Sequence, residues 1–177
     1  MPIAATHSPK RSAGFTLVEL LVVVVVLAIL SVAAVPSVNA MRSVRERGAT
    51  QQLLRDIGFA RQRAQATGVT SWVRFSPATS AYSVLAESGP GAGRATALTI
   101  SDPAIGAPMS VSLSNSEFAG VTLQVAGLTG NEVGFDRYGR PMLVDTSILS
   151  SNATITLSAG PSVTITARTG LVWATFP

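Results

Sequence analysis

From Phe15 to Val35 the chain reads FTLVELLVVVVVLAILSVAAV, 21 residues with a single charge, Glu19. As a helix rising 1.5 Å per residue, this stretch is about 31 Å long and matches a bilayer hydrocarbon core of about 30 Å. The five consecutive valines, Val22 to Val26, favour a strand in water. In lipid, however, every backbone N–H and C=O needs a partner inside the segment, and a lone segment meets that demand only as a helix. The run is therefore expected to span a membrane over residues 15–36. Lys10 and Arg11 precede it and no acidic residue does, so the N-terminal piece should stay cytoplasmic and the bulk of the chain should be translocated.

The rest of the 177 residues leaves room for one compact domain. The chain has no cysteine, which removes thiol nucleophiles, disulfides and cysteine-ligated metals. Its one histidine, His7, lies before the apolar run, so a serine triad would lack its base and a metal site its usual ligand. No convergent acid–base set remains, and neither an enzyme nor a cofactor is expected. The net charge of +4 and a pI near 10.7 would ordinarily suggest nucleic acid or anionic lipid. Six arginines, Arg42 to Arg63, nevertheless crowd into one segment, and beyond Arg63 the charges nearly balance.

Glu19 is the anomaly of the span, because an acidic residue at mid-helix costs about 2.5 to 3.5 kcal/mol on insertion scales. It can snorkel to the interface, one turn from the helix start, or pair with a positive charge in an assembled state. The sequence Gly14-Phe15-Thr16-Leu17-Val18-Glu19, behind a basic leader and ahead of the apolar run, resembles the processing site of type IV prepilins and type II secretion pseudopilins. That resemblance implies cleavage after Gly14 by a prepilin peptidase, removal of residues 1–14 and methylation of the new terminus, Phe15. It also implies that Glu19 meets the amine of a neighbouring processed chain during assembly. A buried carboxylate needs such a partner, so the physical anomaly and the implied role coincide. An ordinary secretory signal cut near Ser31-Val32-Ala33 is the competing reading, but its apolar region would be shorter and free of acid.

Pro36 is expected to kink or interrupt the helix. Beyond it, Val38, Met41, Val44, Leu53, Ile57, Ala60 and Ala64 recur at helical spacing, predicting an amphipathic continuation over 37–68 with Gly68 as its stop and Gly48 as a weak point. The arginines of this segment read as a solvated stripe partly paired with Glu46 and Asp56, since no aromatic is interleaved among them to stack bases.

After Gly68 the period becomes two. Val69–Phe75 and Tyr82–Ala86 predict a hairpin around 76–79, and further strands are expected at 97–100, 110–113, 121–125, 132–135, 141–145, 154–157, 163–167 and 171–175. The run Gly89-Pro90-Gly91-Ala92-Gly93 lacks the Lys-Ser/Thr ending of a phosphate loop and reads as a flexible surface loop. Asn131, Glu132, Asp136 and Asp145 offer oxygens but not the dense spacing of a calcium loop, so no metal is expected.

The segments GFDRYGRP, 134–141, and ITARTGLVW, 165–173, resemble the C-terminal half of the GspH/FimT branch of pseudopilins. The implied fold is α+β and type IV pilin-like, with a long N-terminal helix packed on an antiparallel β domain over 69–177. The implied function is that of a minor pseudopilin in the pseudopilus of a type II secretion system, at the inner membrane with its C-terminal domain in the periplasm. Its implied partners are other pseudopilins or pilins. The alternative is a minor type IV pilin for pilus assembly or DNA uptake, contacting DNA through Arg137, Arg140 and Arg168. DNA-binding members of the family carry an arginine-rich C-terminal motif that Arg168-Thr169-Gly170-Leu171-Val172 does not reproduce, so nucleic acid is not the expected partner.

Overall fold

The computed structural model describes residues 16–114, 117–158 and 160–176, with no side-chain placement for 32–39. One helix, α1, runs Leu17–Thr67 and is followed by ten strands. These are β1 (Ser71–Ser76), β2 (Ala81–Ala86), β3 (Leu98–Thr99), β4 (Ser110–Ser112), β5 (Leu123–Ala126), β6 (Glu132–Phe135), β7 (Pro141–Met142), β8 (Ala153–Leu157), β9 (Ser162–Ile165) and β10 (Val172–Thr175). The chain divides into two compact units, 1–40 and 41–177. Every predicted strand has its counterpart, mostly trimmed by one or two residues, because ladder hydrogen bonds stop before the apolar alternation does.

The strands form two antiparallel sheets. The larger has the order β3-β2-β1-β6-β7, with β4 also pairing with β2, and the smaller has the order β10-β9-β8-β5. In the larger sheet Val73 faces Val84 on one side and Val133 on the other, so one apolar row crosses three strands. The hairpin between β1 and β2 turns through a 3₁₀ segment, Pro77–Thr79, with Ser80 in the left-handed region at φ 47°.

The core of the second unit unites both sheets with α1. Ala49, Leu53, Ile57, Ala60 and Ala64, at helical spacing, are fully buried with Val73, Phe75, Val84, Val133 and Phe135 of the larger sheet. Leu123, Ile155, Leu157, Val163 and Ile165 of the smaller sheet join the same cluster. Successive strand residues face opposite sides, so Trp72 lies on the other face of the larger sheet, in a small cluster with Leu85, Ala97 and Met142. Gly134 permits this: a Cβ there would lie 2.7 Å from the indole ring.

Several expectations change. Pro36 does not interrupt α1, which is continuous from Leu17 to Thr67. Gly48 does not break it either, because its bare backbone is where Phe118 packs, 3.2 Å from the place a Cβ would take. Met41 and Val44 are exposed, at 57% and 68%, so the buried stripe begins only at Ala49. Gly68 ends the helix as expected, donating its N–H to the Ala64 carbonyl at 2.9 Å.

The stripe makes a sharp contrast testable. Leu53→Ala should cost about 2 to 5 kcal/mol, the range for truncating a fully buried leucine. Val44→Ala should change stability by less than about 0.5 kcal/mol. Denaturant unfolding of the two variants checks both values.

Candidate functional site

Two regions carry the residues singled out by the sequence. At the start of α1, the Glu19 N–H donates to Thr16 Oγ1 at 3.3 Å and the Leu20 N–H to the Thr16 carbonyl at 3.2 Å. Thr16 thus caps the helix, and Thr-x-x-Glu is the spacing of a capping box, a signal that the sequence reading missed. Glu19 lies in the first turn, where a carboxylate is favoured by the helix dipole. Gly14 and Phe15 lie outside the described residues. Leu17, Val18, Leu20 to Leu27, Ile29 and Leu30 are all exposed, so this part of α1 is apolar on every side and uncovered. Among the described residues no helix is long and apolar enough to cross a membrane. The expected span over 15–36 lies partly outside the described residues, since Phe15 and the side chains of 32–36 are not described.

The second region is an end of the β domain where two turns meet α1. Asp136 shapes the first, accepting from the N–H groups of Tyr138 and Arg140, both at 2.9 Å, and pairing with the Arg140 guanidinium at 2.7 Å. Arg61 of α1 donates to the carbonyls of Gly139 (3.0 Å) and Thr169 (3.2 Å), and Gln65 to that of Tyr138 (3.2 Å). Arg61 therefore fastens both turns to the helix. Gly170, at φ 65°, lies so close that a Cβ would overlap the Gly139 carbonyl oxygen. Arg137 and Arg140 lie over the exposed Tyr138 ring, 4.9 and 5.0 Å from its centre. Arg140 and Arg168 line one cleft of about 370 Å³ with Ile148, Leu149 and Ser150. The structure thus brings Arg140 and Arg168 together and ties Arg137 to them through Tyr138.

Most of the other acids of the domain are engaged elsewhere. Glu132 pairs with Arg74 and Arg94, and Arg94 also lies over Trp72 at 5.6 Å. Glu87 accepts from Trp72 Nε1 and from the Gly93 N–H, both at 3.1 Å. Residues 89–93 form a surface loop outside any strand, as expected, and the segment is anchored at its two sides by Glu87 and Arg94. Asp56 accepts from the Tyr82 hydroxyl at 2.7 Å, so its expected arginine pairing gives way to a phenol. Arg42 does pair with Glu46, at 3.0 Å. Asp145 accepts from the N–H and hydroxyl of Ser147, and no metal-binding cluster occurs among the described residues.

Residues 9–35 match the family described as the prokaryotic N-terminal methylation motif. Two structures of the minor pseudopilin EpsH from the type 2 secretion system of Vibrio cholerae superpose with TM-scores of 0.57 and 0.56 at 11% identity. They cover 76% and 75% of this chain and 96% of their own. The chain joins a prepilin methylation motif to a pseudopilin-like fold. The type IV minor pilin FimU of Pseudomonas aeruginosa aligns with a TM-score of 0.46 at 14% identity, over 73% of this chain and 91% of its own. No curated protein matches the chain.

Within this pilin-like fold, the buried Glu132 and the half-buried Asp56 are shifted in opposite senses. Burial pushes Glu132 up, but the hydrogen bonds and charges of Arg94 and Arg74 outweigh it and hold the carboxyl below its ordinary value. A depressed carboxylate contributes stability above its unfolded value near 4.5 and loses it as pH falls through the folded value. Asp56 is raised, chiefly by burial, against the Tyr82 hydrogen bond and Arg55. Its contribution is full below the unfolded value near 3.8 and is lost as pH rises through the folded value. Burial first, then Asp56, keeps the Tyr82 phenol protonated.

Glu132→Gln should therefore destabilise the domain at pH 7 and flatten its acid unfolding. Asp56→Asn, which keeps an acceptor for Tyr82, should be at least as stable as the parent at pH 7 and lose that advantage below pH of about 4. Thermal unfolding between pH 3 and 8 checks both. Gly170→Ala should cost about 2 kcal/mol or more, from backbone strain and the overlap with Gly139.

Proposed function

We propose that this protein is a minor pseudopilin of a type II secretion system, a structural subunit that helps to initiate or cap a short periplasmic pseudopilus. The observation that carries the reading is the methylation motif over 9–35, with Gly14-Phe15-Thr16-Leu17-Val18-Glu19 at its centre. The likeness of the fold to EpsH, described as a minor pseudopilin of such a system, supports it. In this reading a prepilin peptidase removes residues 1–14, Phe15 becomes the methylated terminus, and residues 15–36 hold the chain in the inner membrane with 69–177 in the periplasm. Glu19 then supplies the selective contact of assembly. Its carboxylate is costly in lipid, and the amine of an adjacent Phe15 offsets that cost only once a neighbour is in place. The subunit's work is packing, with no bond made or broken.

Processing gives the direct test. Mass spectrometry of the chain purified from membranes should find a terminus at methylated Phe15, and Gly14→Leu should leave the precursor uncut. A terminus at Ala34 would sink the proposal. Glu19→Ala should insert at least as well as the parent yet crosslink poorly to partner pseudopilins, at about a tenth of the parent yield or less. Parental yield would remove Glu19 from the assembly contact.

A further inference from the structure

The cleft beside Arg168 is not used by the proposed filament contacts, which lie on α1. Its floor is apolar, made by half-exposed Ile148 and buried Leu149, and its rim carries Ser150 and the guanidinium groups of Arg140 and Arg168. Arg140 is held in place from two sides, by Asp136 and by the Tyr138 ring. Arg168 differs: among the described residues its side chain has no hydrogen bond or ion pair, although its backbone is fixed by a bond from its N–H to the Leu149 carbonyl at 3.3 Å. That backbone stands at φ 63°, a region where a long side chain is strained and glycine or asparagine is at home.

Among the described residues Arg168 has no carboxylate to compensate its charge. Between Asp145 and Pro177 the only charged residue is Arg168, so β8, β9 and β10 provide no carboxylate for it. Asp136 is taken up by Arg140, and the Asp145 carboxylate is turned to the N–H and hydroxyl of Ser147. Arg137, over the other contact of Tyr138, adds a third cation.

We infer that this cleft docks an acidic segment of a partner protein, seating a carboxylate between Arg140 and Arg168 and an adjacent aliphatic side chain on Ile148 and Leu149. Arg168 offers a whole guanidinium fork to a planar carboxylate, and Arg140, whose Nε and Nη2 are on Asp136, adds its remaining N–H donors. The apolar floor favours a peptide over a nucleic-acid backbone, which needs a track of cations rather than a single pocket. The one exposed aromatic at the site, Tyr138, is already engaged by two guanidinium groups and does not offer a clear stacking platform for bases. The inference does not rest on prepilin processing, and either can fail alone.

The test uses the full chain in detergent micelles and a fluorescent, end-blocked peptide, Gly-Leu-Glu-Leu-Gly, followed by fluorescence anisotropy. The same peptide with Gln replacing Glu is the control. The Glu peptide should bind about tenfold more tightly than the Gln peptide, and Arg168→Gln should remove that difference. Ile148→Asp should abolish binding of both peptides, while Arg42→Gln, on α1 and away from the cleft, should change nothing. Circular dichroism confirms that the variants are folded. Equal binding of the two peptides, no binding of the Glu peptide, or indifference to Arg168→Gln would overturn the inference. So would a DNA duplex that binds more tightly than the Glu peptide and depends on Arg168.

Discussion

The β domain depends on one stripe of one helix. Ala49, Leu53, Ile57, Ala60 and Ala64 are the positions through which α1 joins the two sheets in a single core. Three of the five are alanines, so the backbone of α1 can approach the strands closely, and the two large residues fill the space between alanine positions. Neither sheet could close this core alone, because each has an apolar face with no second layer of its own to cover it. The polar contacts are arranged around that stripe. Arg61 and Gln65 reach the turns at 136–140 and 166–171, Asp56 reaches Tyr82, and Arg63 donates to Ser71 Oγ at 3.2 Å. Residues that read as a solvated face in sequence thus orient the helix on its sheets.

What was legible in the sequence followed from periodicity. The switch from helical to alternating spacing at Gly68 marks the end of α1, and the alternation places all ten strands. What was not legible depends on partners distant in the chain. Met41 and Val44 have the right spacing for the buried stripe, yet nothing lies over them in the core, a fact that no local pattern records. The partner of Asp56 is a tyrosine 26 positions away, nearer in the fold than the arginines beside it in sequence. The 87–97 segment has the composition of a free loop, but Glu87 and Arg94 fasten it over Trp72 through contacts that spacing does not show.

The candidate site divides in the same way. Glu19 could be singled out because a charge in an apolar run is anomalous wherever the run folds. The arginines at 137, 140 and 168 could be named but not assembled, since their meeting depends on glycines whose packing spacing does not show. Gly134 leaves room for the Trp72 ring, and Gly139 and Gly170 let two turns touch beneath Arg61. The segments 134–141 and 165–173 therefore have a packing reason independent of any ligand.

The two units answer to different surroundings. In 41–177 the large apolar side chains are mostly folded inward and the charges are mostly paired or bonded to backbone carbonyls, as expected of a domain facing water. In 1–40 the described apolar side chains are exposed on every face, and the one acid there is set in the first turn of the helix. Such a helix is not expected to remain bare in water, because no described side chain of its own unit covers it. Lipid and a bundle of similar helices both satisfy the valines and leucines about equally, since hydrocarbon tails are as apolar as the side chains. In the proposed assembly only Glu19 would distinguish the two environments, since lipid offers it no charge and the amine of a neighbouring processed chain would. Under that proposal a single carboxylate would set the direction of transfer from membrane to assembly, while the apolar residues around it would make the transfer nearly neutral.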